Sequence, residues 1–278
     1  MPNHVVVSTL GWSKAPLEDA YAAIAGLDFG QADLALHEGW AHLNPSALAD
    51  GGAAAGRREA QRLKDLVVRL EMKRTAACNV GLGTADPGEQ VRRLSAVCDL
   101  AAALGVPVIT LAAAPRGTPE ADEAARLRSL LAVASARGVT LTVETHTNQL
   151  TERPDAAVRL CRAAPGLGLT LDASHFHAGP NAGADYSAVY PFVRHVHLRD
   201  AGEDLAHLQV PAGSGRVDFG ALVRGLDAAG YEGKFAIEYI DSLPIAAGPG
   251  EPADVPANVL RMRDRFVAEE RAAGIVRA

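Results

Sequence analysis

Short apolar runs alternate along the whole chain with longer segments of helical period. HVVVST (4–9), QADLALHEG (31–39), RTAACNVGLG (74–83), VPVITLAAA (106–114), VTLTVETHT (139–147), LGLTLDASH (167–175), VRHVHLRDA (193–201) and GKFAIEYID (233–241) read as eight strands. APLEDAYAAIAG (15–26), GRREAQRLKDLVVRLEMK (56–73), GEQVRRLSAVCDLAAALG (88–105), EADEAARLRSLLAVASARG (120–138), RPDAAVRLCRAA (153–164) and DFGALVRGLDAAG (218–230) read as the helices between them. In the second of these, Ala60, Leu63, Val67 and Leu70 fall on one stripe, and Gly105 and Gly138 close the third and fourth. A weak segment, DYSAVYPFV (185–193), fills the one remaining gap, and ANVLRMRDRFVAEERAAG (257–274) predicts a final helix. Strands separated by helices require crossover connections and hence a parallel sheet. Eight such units at a regular pitch predict an α/β fold, a (β/α)₈ TIM barrel occupying residues 1–278 as a single domain; a doubly wound open sheet is the alternative. The pieces ADGGAAAG (49–56) and AAGPGEPADVP (246–256) read as loops that follow strands, lie over the barrel mouth and could act as lids.

Composition narrows this picture. A length of 278 residues fits one barrel, since such domains run to about 250 residues. Hydrophobic content of 48% and a mean hydropathy of +0.04 describe a globular chain. No apolar run approaches the roughly 20 residues that span a bilayer. The amino terminus MPNHVVVSTLGW reads as the first strand, because it lacks a basic region followed by a long apolar stretch. Cys78, Cys98 and Cys161 are odd in number, widely spaced and without a CxxC pair. They imply neither a disulfide framework nor a cysteine zinc site, and a reducing cytoplasm fits as the expected location. A formal net charge of −6 gives no long-range attraction for phosphate polymers, a weak argument against nucleic acid.

Four residues stand at the ends of apolar runs in the second half: Glu144 in LTVETH, Asp172 in LTLDASH, His197 in HVHLRD and Glu238 in FAIEY. Those are the carboxyl ends of barrel strands, where this fold keeps its active site. Alternation turns Thr142 and His146 inward with Glu144, Thr170 with Asp172, His195 with His197 and Ala236 with Glu238, and leaves Val143, Leu171, Ile237 and Tyr239 facing the helices. A hydrogen-bonded or salt-bridged polar core is the competing reading. Three negative charges with no Lys or Arg among them would repel, however, unless a cation neutralises them.

The chain resembles the xylose isomerase-like barrel superfamily in its ordered motifs VE (143–144), DASH (172–175), HLRD (197–200), PAGSGRVDF (211–219) and IE (237–238). That superfamily includes keto-sugar epimerases, hydroxypyruvate isomerase, inosose dehydratase and isomerase, and apurinic endonucleases. The resemblance implies that Glu144, Asp172, His197 and Glu238 bind one divalent ion, and that His175 touches substrate. The endonuclease branch adds histidines from strands two and four for a three-zinc cluster. Here strand two offers His37, strand four offers none, and His207 and Gln209 stand where that branch has an Asp-x-His pair, so a trinuclear site is not expected.

Three carboxylates and one imidazole suit Mn²⁺ foremost, with Mg²⁺, Co²⁺ or Zn²⁺ as alternatives. An ion chelating a sugar carbonyl and its neighbouring hydroxyl acidifies the α-carbon proton. Glu144 and Glu238 would then be the catalytic pair, one removing the proton and the other returning it, so that a keto-sugar or cyclitol is isomerised or epimerised through a metal-bound enediolate. A lyase or dehydratase acting on a keto-sugar, inosose or 3-oxo-glycoside would use the same site. An apurinic-endonuclease-type zinc phosphodiesterase and a non-catalytic sugar-binding barrel are the readings from other classes.

Around the four, His175, Arg199, His146 and Trp12 are candidate substrate contacts. Arg199 has pairing with Asp200 as its alternative, and Trp12 and Trp40 have packing as theirs. His195 reads as a core histidine, Asp200 as a structural partner, and His177, His207 and Arg216 as solvated. The expected partner is a small carbohydrate or cyclitol, with no nucleic acid and no membrane. Association into a homo-oligomer stays open, the last helix being the candidate contact.

Overall fold

The computed structural model describes residues 3–277; Met1 and Pro2 of the expected first-strand segment lie outside them. Nine strands form one sheet: β1 (Val5–Ser8), β2 (Gln31–His37), β3 (Ala41–His42), β4 (Arg74–Gly81), β5 (Val108–Leu111), β6 (Thr140–Glu144), β7 (Gly168–Asp172), β8 (Val193–Leu198) and β9 (Phe235–Ile237). The order is β1-β9-β8-β7-β6-β5-β4-β2-β3, and a further β1–β2 pairing closes it. Every pairing is parallel except that of β3, a two-residue strand added to β2 by a hairpin that the sequence pattern did not show. The result is a closed eight-stranded parallel barrel, as the pattern predicts.

Helices α1 (Leu17–Gly26), α2 (Pro45–Asp50), α3 (Gly52–Arg69), α4 (Pro87–Leu104), α5 (Glu120–Ser135), α6 (Pro154–Ala163), α7 (Ser174–Ala178), α8 (Phe219–Ala228) and α9 (Val255–Ala272) occur along the chain. Local chemistry sets several of their starts. Asp86, Asp218 and Asp254 each accept the backbone N–H three residues on, capping α4, α8 and α9, and prolines pre-set the first turns of α2, α4 and α6.

Two sequence expectations need correction. The stretch 49–56 is not a loop over the mouth: it finishes α2 and begins α3. Its alanines favour helix, and only Gly52, at φ +59, breaks the path between the two segments. The stretch 246–254 is irregular, as expected, before α9 begins. The strand expected over 167–175 stops at Asp172, because its Oδ1 takes the Ser174 N–H at 2.9 Å and turns the chain into α7.

Alternation along the strands sorts side chains into two environments. Val143, Leu171, Ile237 and Tyr239 belong to the main hydrophobic core between barrel and helices. Inside the barrel, Val6, Ala76 and Ala236 form a separate small apolar group. Next to it the interior is polar. Thr110, Thr142 and Thr170 form a triangle of hydroxyl contacts at 2.7, 2.7 and 3.2 Å. Register then stacks the layers: Glu144 pairs with Thr170, Asp172 with His197 and His197 with Ala236.

Candidate metal centre

At the carboxyl ends of β6 to β9 the structure gathers Glu144, Asp172, His197 and Glu238, each offering a ligand atom within 4.8 Å of the others. Asp172, His197 and Glu238 are buried, and Glu144 is partly exposed. His197 Nδ1 lies 2.6 Å from Glu144 Oε1 and 3.4 Å from Glu238 Oε2. Of the four, Glu144 alone keeps some solvent exposure, and His146, two residues on, is half-buried.

The sequence motifs alone count no Lys or Arg among the carboxylates; the structure corrects this by placing a fixed cation beside them. Arg199, 2% exposed, brings its Nη2 to 2.7 Å from Asp172 Oδ2. It also donates from Nε to Ser174 Oγ at 3.2 Å and contacts His175 Nε2 at 2.9 Å. It does not pair with Asp200. That carboxylate instead accepts backbone N–H groups from Ala201, Gly213, Gly215 and Val217 and so shapes the PAGSGRVDF turn. Gly215 passes so close that an added Cβ would stand 2.1 Å from Asp200 Oδ1, which makes glycine a requirement of that turn. With His197 neutral, three carboxylates against one guanidinium leave two negative charges, the complement of a divalent ion. The donor set therefore fits such an ion in charge and in ligand type.

The electrostatics describe how the cluster is balanced by protons. Burial pushes Asp172 above the ordinary carboxyl value, and Glu144 and Glu238 add to the push while Arg199 opposes it. Burial works against the charge of Glu144 too, but His197, with His146 and Arg199, outweighs it and lowers that carboxyl to about 2. Burial disfavours a charged His197, yet Glu238 and Glu144 hold it well above the usual imidazole value. A proton on His197 thus supplies part of the positive charge that a cation would bring, and cation binding at Nδ1 must displace it.

The other expected contacts sort themselves by geometry. His175 is buried; its Nδ1 lies 3.1 Å from Thr147 Oγ1 and its Nε2 meets Arg199, so both ring nitrogens have protein partners. Burial, reinforced by His146 and Arg199, keeps it well below the usual imidazole pKa and hence neutral. The His146 ring lies against His175 at 3.9 Å between centroids. Trp12 is half-buried against the core, and Trp40 is exposed with its ring T-shaped to that of His37. His207 is exposed and paired with Asp204. Gln209 is buried and braces the backbone at Ile240. Neither of these two, nor His37, lies in a group of described residues that could hold an ion.

Three residues escaped the reading of the sequence. Asn79 donates from Nδ2 to Glu238 Oε1 at 3.1 Å and contacts His37 Nε2 at 3.1 Å, linking the two. Ser8 donates to the same Glu238 oxygen at 3.5 Å. Asp33, fully buried in β2, reaches across the barrel to His195 and His197. Its signal was present, since His37 turned inward brings Ala35 and Asp33 inward with it.

Comparison with known proteins places the chain in a family. The model of the xylose isomerase-like TIM barrel family matches residues 20–264, and the chain belongs to that family. None of the curated proteins compared matches it in sequence. Among solved structures, D-allulose 3-epimerase from Methylomonas sp. in complex with D-allulose is similar at a TM-score of 0.71 and 17% identity, over 96% of this chain and 97% of that one. A xylose isomerase-like TIM barrel protein from Mycobacterium smegmatis in complex with magnesium is similar at 0.71 and 16%, over 98% and 99%. A probable 3-DHS dehydratase involved in petrobactin synthesis, from Bacillus anthracis, is similar at 0.67 and 15%, over 95% and 98%. At these identities the likeness is one of fold. No helix among the described residues is long and apolar enough to cross a membrane.

Proposed function

We propose that this protein is a divalent-metal-dependent isomerase or epimerase of a small keto-sugar or cyclitol. The observation that carries the proposal is the convergence of Glu144, Asp172, His197 and Glu238 at the barrel mouth, three carboxylates and an imidazole with Arg199 as the one guanidinium among them. These four residues would hold the ion, Mn²⁺ foremost. When bound, it would polarise a carbonyl and acidify the neighbouring C–H.

The chain's own groups supply the rest. Glu144, on the side open to solvent, and Glu238, backed by Asn79 and Ser8, are the proton acceptor and donor. Removal of the α-proton by one carboxylate and return by the other inverts a centre or moves the carbonyl. Arg199 fixes Asp172, and His175 fixes Arg199. His146, at the open side, is the group placed to meet a substrate hydroxyl.

A lyase or dehydratase is the second reading, favoured by the similar dehydratase from Bacillus anthracis. It begins with the same proton removal and differs in what leaves next. Against a zinc phosphodiesterase stand the positions of His37 and His207, which do not join the cluster.

Solvent-deuterium incorporation at the α-carbon, followed by NMR across a panel of ketoses, inososes and 3-oxo-glycosides with Mn²⁺ supplied, tests the proposal. Exchange with at least one panel member is the expected result, and product analysis then separates epimerisation from elimination. No exchange with any member would contradict it.

A further inference from the structure

The imidazole of His197 has two nitrogens in different surroundings. Nδ1 faces Glu144 and Glu238 at 2.6 and 3.4 Å. Nε2 points into the barrel, where it has no hydrogen-bond partner and lies 3.6 Å from Asp33 Oδ2. Asp33 Oδ1 is likewise buried and without a partner. Asp33 Oδ2 is held at 2.8 Å by His195 Nε2, and the two histidine rings stand edge-on with centroids 5.3 Å apart. Asp33 comes from β2, which pairs with neither β8 nor β9, so it is aimed across the barrel interior at this spot.

A neutral imidazole can give a metal only the nitrogen that lacks its proton, and the other nitrogen must then carry it. For His197 to ligate through Nδ1, its proton has to sit on Nε2, and the carboxylate facing Nε2 is Asp33. We infer that Asp33, steadied by His195, is a positioning residue that sets the tautomer of His197 for metal binding. This rests on the proposed metal site. It goes further in assigning Asp33 a role outside the ligand shell, of the kind outer carboxylates play toward metal-bound histidines. Asp33, His195 and His197 also form a group that could hold an ion themselves. A neutral His197 already engaged through Nδ1 has no lone pair left on Nε2, so the two uses exclude each other and the inference commits to one ion.

The test measures Mn²⁺ affinity by equilibrium titration of the wild type and of Asp33→Ala and Asp33→Asn. It also reads the His197 tautomer by ¹⁵N NMR in the wild type loaded with diamagnetic Mg²⁺. The expected result is a single wild-type site with the proton on Nε2, binding weakened by about 10- to 100-fold in Asp33→Ala, and partial recovery in Asp33→Asn, whose carbonyl still accepts. Asp33→Ala binding within about threefold of wild type would overturn the inference while leaving the metal site standing. So would a proton found on Nδ1, or a second ion lost with Asp33. Absence of saturable Mn²⁺ binding by the wild type would instead overturn the metal site itself. Should Asp33→Ala fail to fold, Asp33→Asn decides: weaker Mn²⁺ binding than wild type is expected, and unchanged affinity would overturn the inference, because in the loaded protein the tautomer follows from which nitrogen ligates.

Discussion

Replacing Glu144 or Glu238 with glutamine is expected to slow α-proton exchange by about 10²- to 10⁴-fold, the usual worth of a positioned acid or base. Glutamine keeps the shape and one carbonyl oxygen and removes only the capacity to take a proton and the negative charge. The two variants should differ in character. Glu144 is the partly exposed member of the four and its charge is set against His197, so Glu144→Gln is expected to relieve the proton held there and to weaken metal binding as well. Glu238 is buried and takes hydrogen bonds from Asn79 and Ser8 on Oε1. In Glu238→Gln the amide must turn its carbonyl toward those donors, leaving NH₂ to face the site. Metal content measured beside exchange separates loss of the base from loss of the ion. Exchange near the wild-type rate in either variant would remove that residue from the proton transfer.

Arg199→Met is expected to destabilise the metal-free protein by about 3–5 kcal/mol, the cost of leaving one member of a buried ion pair without its partner. Asp172 is fully buried, and burial already opposes its charge; Arg199 is the fixed cation that offsets this. Methionine fills part of the volume but leaves that carboxylate, Ser174 Oγ and His175 Nε2 without the guanidinium. Urea unfolding with chelator present should show the full loss. With saturating Mn²⁺ the gap should narrow, because an ion beside Asp172 supplies the missing charge. An equal loss with and without metal would mean that Asp172 is not a ligand.

The fold was legible because period-2 and period-3.6 patterns alternate cleanly and the strands are short and apolar. The same alternation picked out the four residues that the structure brings together at strand ends, since a carboxylate closing a run such as LTVE has few structural reasons to be there. What stayed hidden depends on distance in space. Arg199 enters the cluster because α7 begins immediately after β7 and brings Ser174 and His175 beneath the guanidinium, which no spacing in HLRD announces. Asp33 lies on the far side of the barrel from His197, and only closure of β1 on β2 brings the two together. The stretch 49–56 was misread because glycine content suggested a loop where alanine propensity and packing of α2 on α4 prevail.

The proposed activity requires one ion held by Glu144, Asp172, His197 and Glu238. Equilibrium dialysis of the purified, chelator-treated protein against Mn²⁺, followed by elemental analysis, tests it most directly. One ion per chain in the wild type, lost in an Asp172→Ala, His197→Ala double variant that remains folded, is the predicted result. No saturable binding, or an ion retained undiminished by that variant, would contradict it.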